Sequence, residues 1–302
     1  MTSGKLTLVA TPIGNPEDMS PRAKKALAMA DLVLCEDTRV TGLLLAELGL
    51  KVNLLSYHEH NAESRHPLIL ERLQAGETVA LVSDAGMPLI SDPGERLVRL
   101  VLAAGIPLSV IPGPNAALTA LAASGLDSSR FVFEGFLPAR GKERRTRLTE
   151  LRDEPRSLIL YEAPHRLLRT LTDLAATGLG ERKVSIGREL TKKYEEYLYL
   201  TVAEAKALYT ETAPRGEFVL VLEGRAEFES RQPIREQNIV AADNIDDLIR
   251  ERLAVGGRLR QIAQEVAELT GRSANTVYER ILQLKKIKSE APRLGDSDGR
   301  RQ

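Results

Sequence analysis

Carboxylates, imidazoles and a guanidinium recur in this chain directly after short apolar runs, in segments also rich in glycine and proline. The segments are Thr11-Pro12-Ile13-Gly14-Asn15, Glu36-Asp37-Thr38-Arg39, Tyr57-His58-Glu59-His60-Asn61, Ser83-Asp84-Ala85-Gly86-Met87-Pro88 and Pro112-Gly113-Pro114-Asn115. Glu36, Asp37, His58 and His60 are residue types that take a proton from a weak nucleophile. Arg39 offers a planar fork for a phosphate, or a partner for Asp37 itself; the spacing suits both. His58 and His60 stand two apart and share a face if extended. Too few further ligands accompany them for a metal site, so a hydrogen-bonding role is expected and no metal. The first turn lacks G-x-G-x-x-G and the chain has no G-x-x-x-x-G-K-[ST], which disfavours a dinucleotide site and a P-loop hydrolase.

The elements that must carry these turns follow from the apolar pattern. Leu6–Ala10, Leu32–Cys35, Val52–Leu55, Thr78–Val82 and Pro107–Ile111 are continuous rather than alternating runs, as in strands covered by helices on both faces. Helical spacing falls between them over Pro21–Ala30, with Ser20 as cap, and over Thr41–Leu48, Glu63–Gln74 and Glu95–Ala104, followed by Ala116–Ala123. The pattern predicts a βαβ domain over residues 1–126. In a parallel sheet the strands' carboxyl ends lie along one edge, so all five turns converge on one crevice. A second α/β domain with a mixed sheet is expected over residues 127–228. Its strands are Phe131–Phe136, Ser157–Tyr161, Lys183–Arg188 and Glu217–Leu222, and its helices residues 140–152, Pro164–Ala176 and Val202–Tyr209. Residues 225–238 read as a polar linker that leads into a tail spanning 229–302. Beyond it come a helix over Ile239–Leu253 and then Leu259–Thr270 and Ala274–Leu284, the last capped by Ser273, in a helix-turn-helix pattern.

At 302 residues, 43% hydrophobic and 28% charged, the chain is that of a folded protein. Its single cysteine, Cys35, excludes an internal disulfide and a cysteine metal cluster. No apolar run reaches the roughly 18–20 residues needed to span a bilayer, so a cytoplasmic protein is expected. Formal net charge is zero, yet basic residues gather at Arg140, Lys142, Arg144, Arg145, Arg147 and Arg152, and again at Lys285, Lys286 and Lys288. Either patch suits phosphate binding and equally suits a solvated helix face.

The turns at Thr11–Asn15, Glu36–Arg39 and Pro112–Pro114, the string Ser83–Gly94, and the segments Phe133–Pro138 and Arg188–Lys192 resemble the tetrapyrrole methylase superfamily. Within it they are most similar to the branch acting on small-subunit ribosomal RNA, and the string Ser83–Gly94 is the most specific part. The resemblance implies two α/β domains with S-adenosylmethionine in the cleft between them, usually in a homodimer. It further implies 2'-O-methylation of a cytidine ribose in the decoding region, on free RNA or the 30S subunit. Cofactor contacts then fall on Pro12, Asp84, Ala85, Gly86, Met87, Leu89, Ile90, Asn115, Ala116, Tyr161, Glu162 and the neighbourhood of Pro214. Where the superfamily's loop usually reads G-G-D-P this chain has Ala85-Gly86-Met87-Pro88, so the carboxylate is expected from Asp84. A ribose hydroxyl needs a proton acceptor, for which Asp37, His58, Glu36 and His60 are candidates, with Arg39 beside them. Arg140, Lys142, Arg144, Arg145 and Lys192 are the candidate RNA contacts. Methylation of a tetrapyrrole or another small molecule, and a non-enzymatic nucleic-acid-binding regulator, are the alternatives.

Overall fold

Alternate residues of the first five strands go to opposite faces of one sheet, and both faces are buried. The strands are β1 (Lys5–Val9), β2 (Leu32–Cys35), β3 (Leu54–Ser56), β4 (Thr78–Leu81) and β5 (Leu108–Ile111). Leu6, Leu8, Leu32, Leu34, Val79 and Leu81 fill one core. Val9, Val33, Cys35 and Ala80 fill the other, against Ala23 and Leu27 of the helix Pro21–Ala28. Two-sided burial is why the runs are continuously apolar. All pairings are parallel, in the order β3-β2-β4-β1-β5. The computed structural model describes residues 4–231, 245–270 and 272–290.

The helix after β2 begins three residues before the expected position, at Thr38, because Asp37 caps it by accepting the Arg39 N–H. The other helices of this half, Ala62–Gln74 and Glu95–Ala103, lie within a residue of expectation.

The second sheet comprises β6 (Phe131–Phe136), β7 (Ser157–Glu162), β8 (Lys183–Arg188), β9 (Glu196–Thr201) and β10 (Phe218–Leu222). Its order is β6-β7-β10-β8-β9, with β6 parallel to β7 and every other pairing antiparallel. Strand β9 has no counterpart among the expected elements. It is an edge strand carrying tyrosines and leucines with neither face fully buried, so it lacks the continuous apolar signature. The helix Ala116–Ala123 follows the first sheet in the chain but packs Ala117, Ala120 and Leu121 against Ile159, Val219 and Val221 of the second.

The chain divides after Ser230 into two compact units. The expected linker is in part helical: Arg225–Arg231 forms a helix tied by Arg225 to Glu229, and 232–238 lies outside the described residues. In the second unit the expected helix over 239–253 is described from Ile245 and runs to Val255; 239–244 again lies outside. The helices Leu259–Thr270 and Ala274–Glu290 follow, the latter longer than expected and capped by Ser273, which accepts the Thr276 N–H. Ile249, Ile262, Val266, Val277 and Ile281 form the core of this unit. Lys285 is exposed; the side chains of Lys286 and Lys288 lie outside the described residues. No described helix is long and apolar enough to cross a membrane.

Candidate active site

The turns after β1 and β4 are stitched together. Thr11 and Gly86 exchange backbone hydrogen bonds of 2.9 and 3.1 Å, and the Thr11 hydroxyl donates to the Ser83 carbonyl at 3.2 Å. The Ser83 hydroxyl donates to the Ala85 carbonyl at 3.1 Å. Gly86 has φ +81°, and a Cβ there would stand 3.2 Å from Ile13 Cγ2, so glycine serves both the backbone angle and the close approach. Leu89 and Ser91 hold φ near +72° and +71° without that freedom. Such strain persists only where neighbouring structure imposes it, and it gathers at functional loops.

A third turn supplies Asn115, which caps the helix Ala116–Ala123 by accepting the Leu118 N–H at 3.0 Å. The Ala117 N–H donates to the Tyr161 hydroxyl at 3.2 Å, joining the turn after β5 to strand β7. Gly14 lies so near the segment after β8 that a Cβ would come within 2.4 Å of Lys192 Cγ.

These pieces line a cavity of about 570 Å³, open on one side, between the two sheets. Of the expected cofactor residues, Asp84, Ala85, Gly86, Met87, Ile90, Asn115, Ala116, Tyr161 and Glu162 line it. Leu89 instead packs onto the first core, and Pro12 and Pro214 stand outside the lining. The Glu162 carboxylate is already engaged by the Ala163 N–H, the Thr170 hydroxyl and Arg166, so its side chain braces the wall. Volume, apolar walls from Ile13, Met87 and Val219, loop backbone and the carboxylates of Asp84 and Asp92 together fit S-adenosylmethionine. Its adenosyl part needs apolar surface and its two cationic groups need acids.

A second basin, of about 500 Å³, is lined by Glu36, Asp37, Arg39, His58, His60 and again Asp84. Asp84 therefore belongs to both spaces, and its Oδ1 accepts the Asp37 N–H at 3.1 Å. The strand-end turns meet in two spaces that share Asp84 rather than in the single crevice expected, and the groups differ in role. The Arg39 guanidinium straddles Asp37, at 3.0 and 2.6 Å, and together with the Arg39 N–H it pulls that carboxyl down to about 2. A carboxylate so low is a weak proton acceptor. Arg39 keeps 88% of its side chain exposed. His58 Nε2 lies 3.0 Å from Asn61 Nδ2, which as an amide donor leaves the ring proton on Nδ1; that Nδ1 is buried without a partner. Among the described residues no group of three or more His, Cys, Asp or Glu side chains is placed to hold a metal ion.

Asp92 was not singled out among the candidates, although it lies in the Ser83–Gly94 string. It lines the first cavity, where burial, then Glu36 and Asp84, push its carboxyl up to about 6 against a hydrogen bond from Ser83. A carboxyl displaced toward working pH in a cleft is a functional signature, and no sequence pattern announces it. Phe136 and His165 also line this cavity and were likewise missed.

The basic candidates separate by burial. Arg140, Lys142 and Arg145 are exposed. Arg144 is a correction: at 3% exposure its guanidinium binds Asp173, the Pro138 carbonyl and the Thr170 hydroxyl at 2.8–3.0 Å, out of reach of any RNA. Lys192 is also committed internally, to Glu189 and Glu217 at 3.0 and 2.8 Å.

The family described as Tetrapyrrole (Corrin/Porphyrin) Methylases matches residues 5–206. The chain is 46% identical over 282 residues to the Ribosomal RNA small subunit methyltransferase I of Synechocystis sp., covering 93% of this chain and 98% of that one. With the protein of the same name from Escherichia coli O157:H7 the identity is 44%, over 93% and 96% of the two chains. Among solved structures, uroporphyrin III C-methyl transferase from Thermus thermophilus is similar in fold, at TM-score 0.53 and 21% identity over 73% of this chain and 97% of that one. Diphthine synthase is similar at TM-score 0.57 and 16% identity, over 75% and 94%. On both its sequence and its two-sheet architecture, the chain belongs to the tetrapyrrole methylase family of methyltransferases, in the branch of the ribosomal RNA small subunit methyltransferase I proteins.

Proposed function

We propose that this protein transfers a methyl group from S-adenosylmethionine to the 2'-hydroxyl of a cytidine in small-subunit ribosomal RNA. The observation that carries the reading is the pair of spaces sharing Asp84: a partly open cavity suited to the donor, beside a charged basin suited to a ribose and its phosphate. The names of near full-length relatives supply the acceptor class, and the exposed cations Arg39, Arg140, Lys142 and Arg145 suit a polyanion.

When bound, the cofactor supplies a sulfonium methyl open to in-line attack by oxygen, a displacement that depends mainly on alignment. The loop Asp84–Met87 and the turn Asn115–Ala116 would hold the donor through backbone groups, with the Asp84 carboxylate available to its ammonium group. Asp92, which lines the donor cavity near Glu36 and Asp84 of the basin, would take the proton of the 2'-hydroxyl as that oxygen is methylated. Arg39, fixed by Asp37, positions a phosphate, and His58 lines the same basin. Residues 1–126 and 127–228 act as the two domains closing on the cofactor, and 229–302 as a tail that adds RNA affinity. The protein works in the cytoplasm as a homodimer, a state in keeping with exposed apolar side chains such as Leu43, Leu118 and Phe131.

The deciding experiment supplies methyl-labelled cofactor with small ribosomal subunits, naked rRNA and a porphyrinogen. Label is expected in RNA and recovered as 2'-O-methylcytidine; label in the porphyrinogen alone overturns the reading. Asp84→Ala should weaken cofactor binding by about tenfold in calorimetry, the order of one lost charge-assisted hydrogen bond. Unchanged affinity would remove Asp84 from the donor site. Reversing Lys142 and Arg145 to Glu should lower RNA affinity and flatten its dependence on salt. An unaltered salt slope would show that this helix face touches only solvent.

A further inference from the structure

The second sheet presents an aromatic side chain to the cavity mouth by means of a bulge. Phe133 and Phe136 are three residues apart on β6 and in regular pleating would face opposite ways. The register against β7 shifts between Phe133 and Gly135, and Gly135 takes φ +66°. An inserted residue of this kind re-aims the side chain that follows it. Both rings consequently meet one partner, Tyr161: Phe133 at 5.1 Å and Phe136 at 5.6 Å between centroids, each edge-on. A Cβ on Gly135 would stand 2.9 Å from Ser91 Oγ, so the bulge also abuts the strained cofactor loop. Phe136 lines the cavity while remaining 52% exposed, so its ring stands at the opening rather than the floor. His165, exposed and lining the same cavity, stands at the start of the helix Pro164–Leu174. Arg140 follows Phe136 by four residues, within about 14 Å of chain even when extended, and is exposed with Lys142 and Arg145.

We infer that Phe136, backed by Tyr161 and flanked by His165, is the platform on which the target pyrimidine base of the RNA stacks after leaving its helix, with Arg140, Lys142 and Arg145 taking the adjoining phosphates. The inference rests on the RNA reading above. A ribose cannot reach a donor in the cavity while its base stays stacked, and enzymes acting on nucleotides hold the extruded base between aromatic groups. Single-stranded bases recognised by proteins stack on Phe, Tyr, His or Arg planes beside a cationic track, which is the set gathered here. A ring braced edge-on by a second aromatic is already ordered, so stacking on it costs little further entropy. The cofactor's adenine is the competing occupant, and it separates cleanly by experiment.

The test compares the unmodified protein with Phe136→Ala and Phe136→Trp. Three quantities are read: KM for small ribosomal subunits, calorimetric affinity for S-adenosylmethionine, and quenching of a single-stranded RNA carrying the fluorescent base pyrrolocytosine. Expected for Phe136→Ala are a KM raised by about 10- to 100-fold, the order of one lost base–aromatic stack, loss of quenching and unchanged cofactor affinity. Phe136→Trp should restore KM and quenching. An unchanged KM in Phe136→Ala overturns the platform, as does a loss confined to cofactor affinity, which would give the ring to adenine. If the unmodified protein labels no RNA, the RNA reading itself fails and takes the platform with it. If it labels RNA and Phe136→Ala does so with the same KM, only the platform fails.

Discussion

Asp92→Asn should lower the methyl-transfer rate by about 10²- to 10⁴-fold, the range in which a positioned general base contributes, and should erase the acidic limb of the pH profile. With the native residue, rate is expected to climb as pH rises through about 6, where the Asp92 carboxyl loses its proton. The cause is burial, reinforced by Glu36 and Asp84, which makes the anion costly in the folded state. The same displacement fixes the sign of the stability effect. The folded value lies above the ordinary 3.8, so the stability linked to this group is full below 3.8 and is lost as pH rises through about 6. Asp92→Asn, which carries no charge, should therefore unfold at a higher denaturant concentration than the native protein at pH 7 while being nearly inactive. At pH 3.5 the two should unfold alike. A variant that keeps both its rate and its limb near 6 assigns the proton to another group.

Arg144→Ala should cost about 1.5–3 kcal/mol of stability, the scale of losing a hydrogen bond to a charged group, because Asp173 is partly exposed and stays 3.9 Å from Arg169. Its guanidinium binds Asp173 and the Thr170 hydroxyl, and Thr170 in turn donates to the buried Glu162 carboxylate at the cavity wall. Removing it takes a donor from the Pro138 carbonyl and unties the helix Pro164–Leu174 from its neighbour, loosening the wall that carries Glu162. Urea unfolding should show a lower midpoint with an unchanged slope. The salt dependence of RNA binding should stay as it was, in contrast to the Lys142 and Arg145 reversals. A shift under 1 kcal/mol would mean that water replaces the guanidinium.

The difference between Arg144 and its neighbours was partly legible. Arg144, Leu148 and Leu151 stand at the i, i+4, i+7 spacing of one helix face, and all three are buried. Charge density along the chain drew the eye to the segment; periodicity alone separates its inner cation from the outer ones. The first sheet was readable because burial on both faces leaves an uninterrupted apolar run, whereas β9, half-covered at an edge, leaves none. Gly135 inside a strand is a standing sign of a bulge, yet where the bulge turns Phe136 depends on register with β7. Asp92 was out of reach for another reason. Its proton affinity depends on burial and then on Glu36, brought to it by a different strand end, and no local pattern encodes that meeting. Asp37 could be read as a base or as the partner of Arg39, and the cap it forms on the helix Thr38–Glu47 decides for the pairing.

The helix Ala116–Ala123 has a consequence for how the chain comes into being. Its apolar stripe, Ala117, Ala120 and Leu121, is covered by Val219 and Val221, which are synthesised about a hundred residues later. At roughly 5–20 residues per second of translation, that stripe stays uncovered on the nascent chain for about 5–20 seconds. During that interval this helix is exposed to chaperones and to sticking. Once β10 arrives, neither half can unfold without baring the shared stripe. Amide hydrogens of the two sheets should accordingly exchange through a common opening rather than one half at a time.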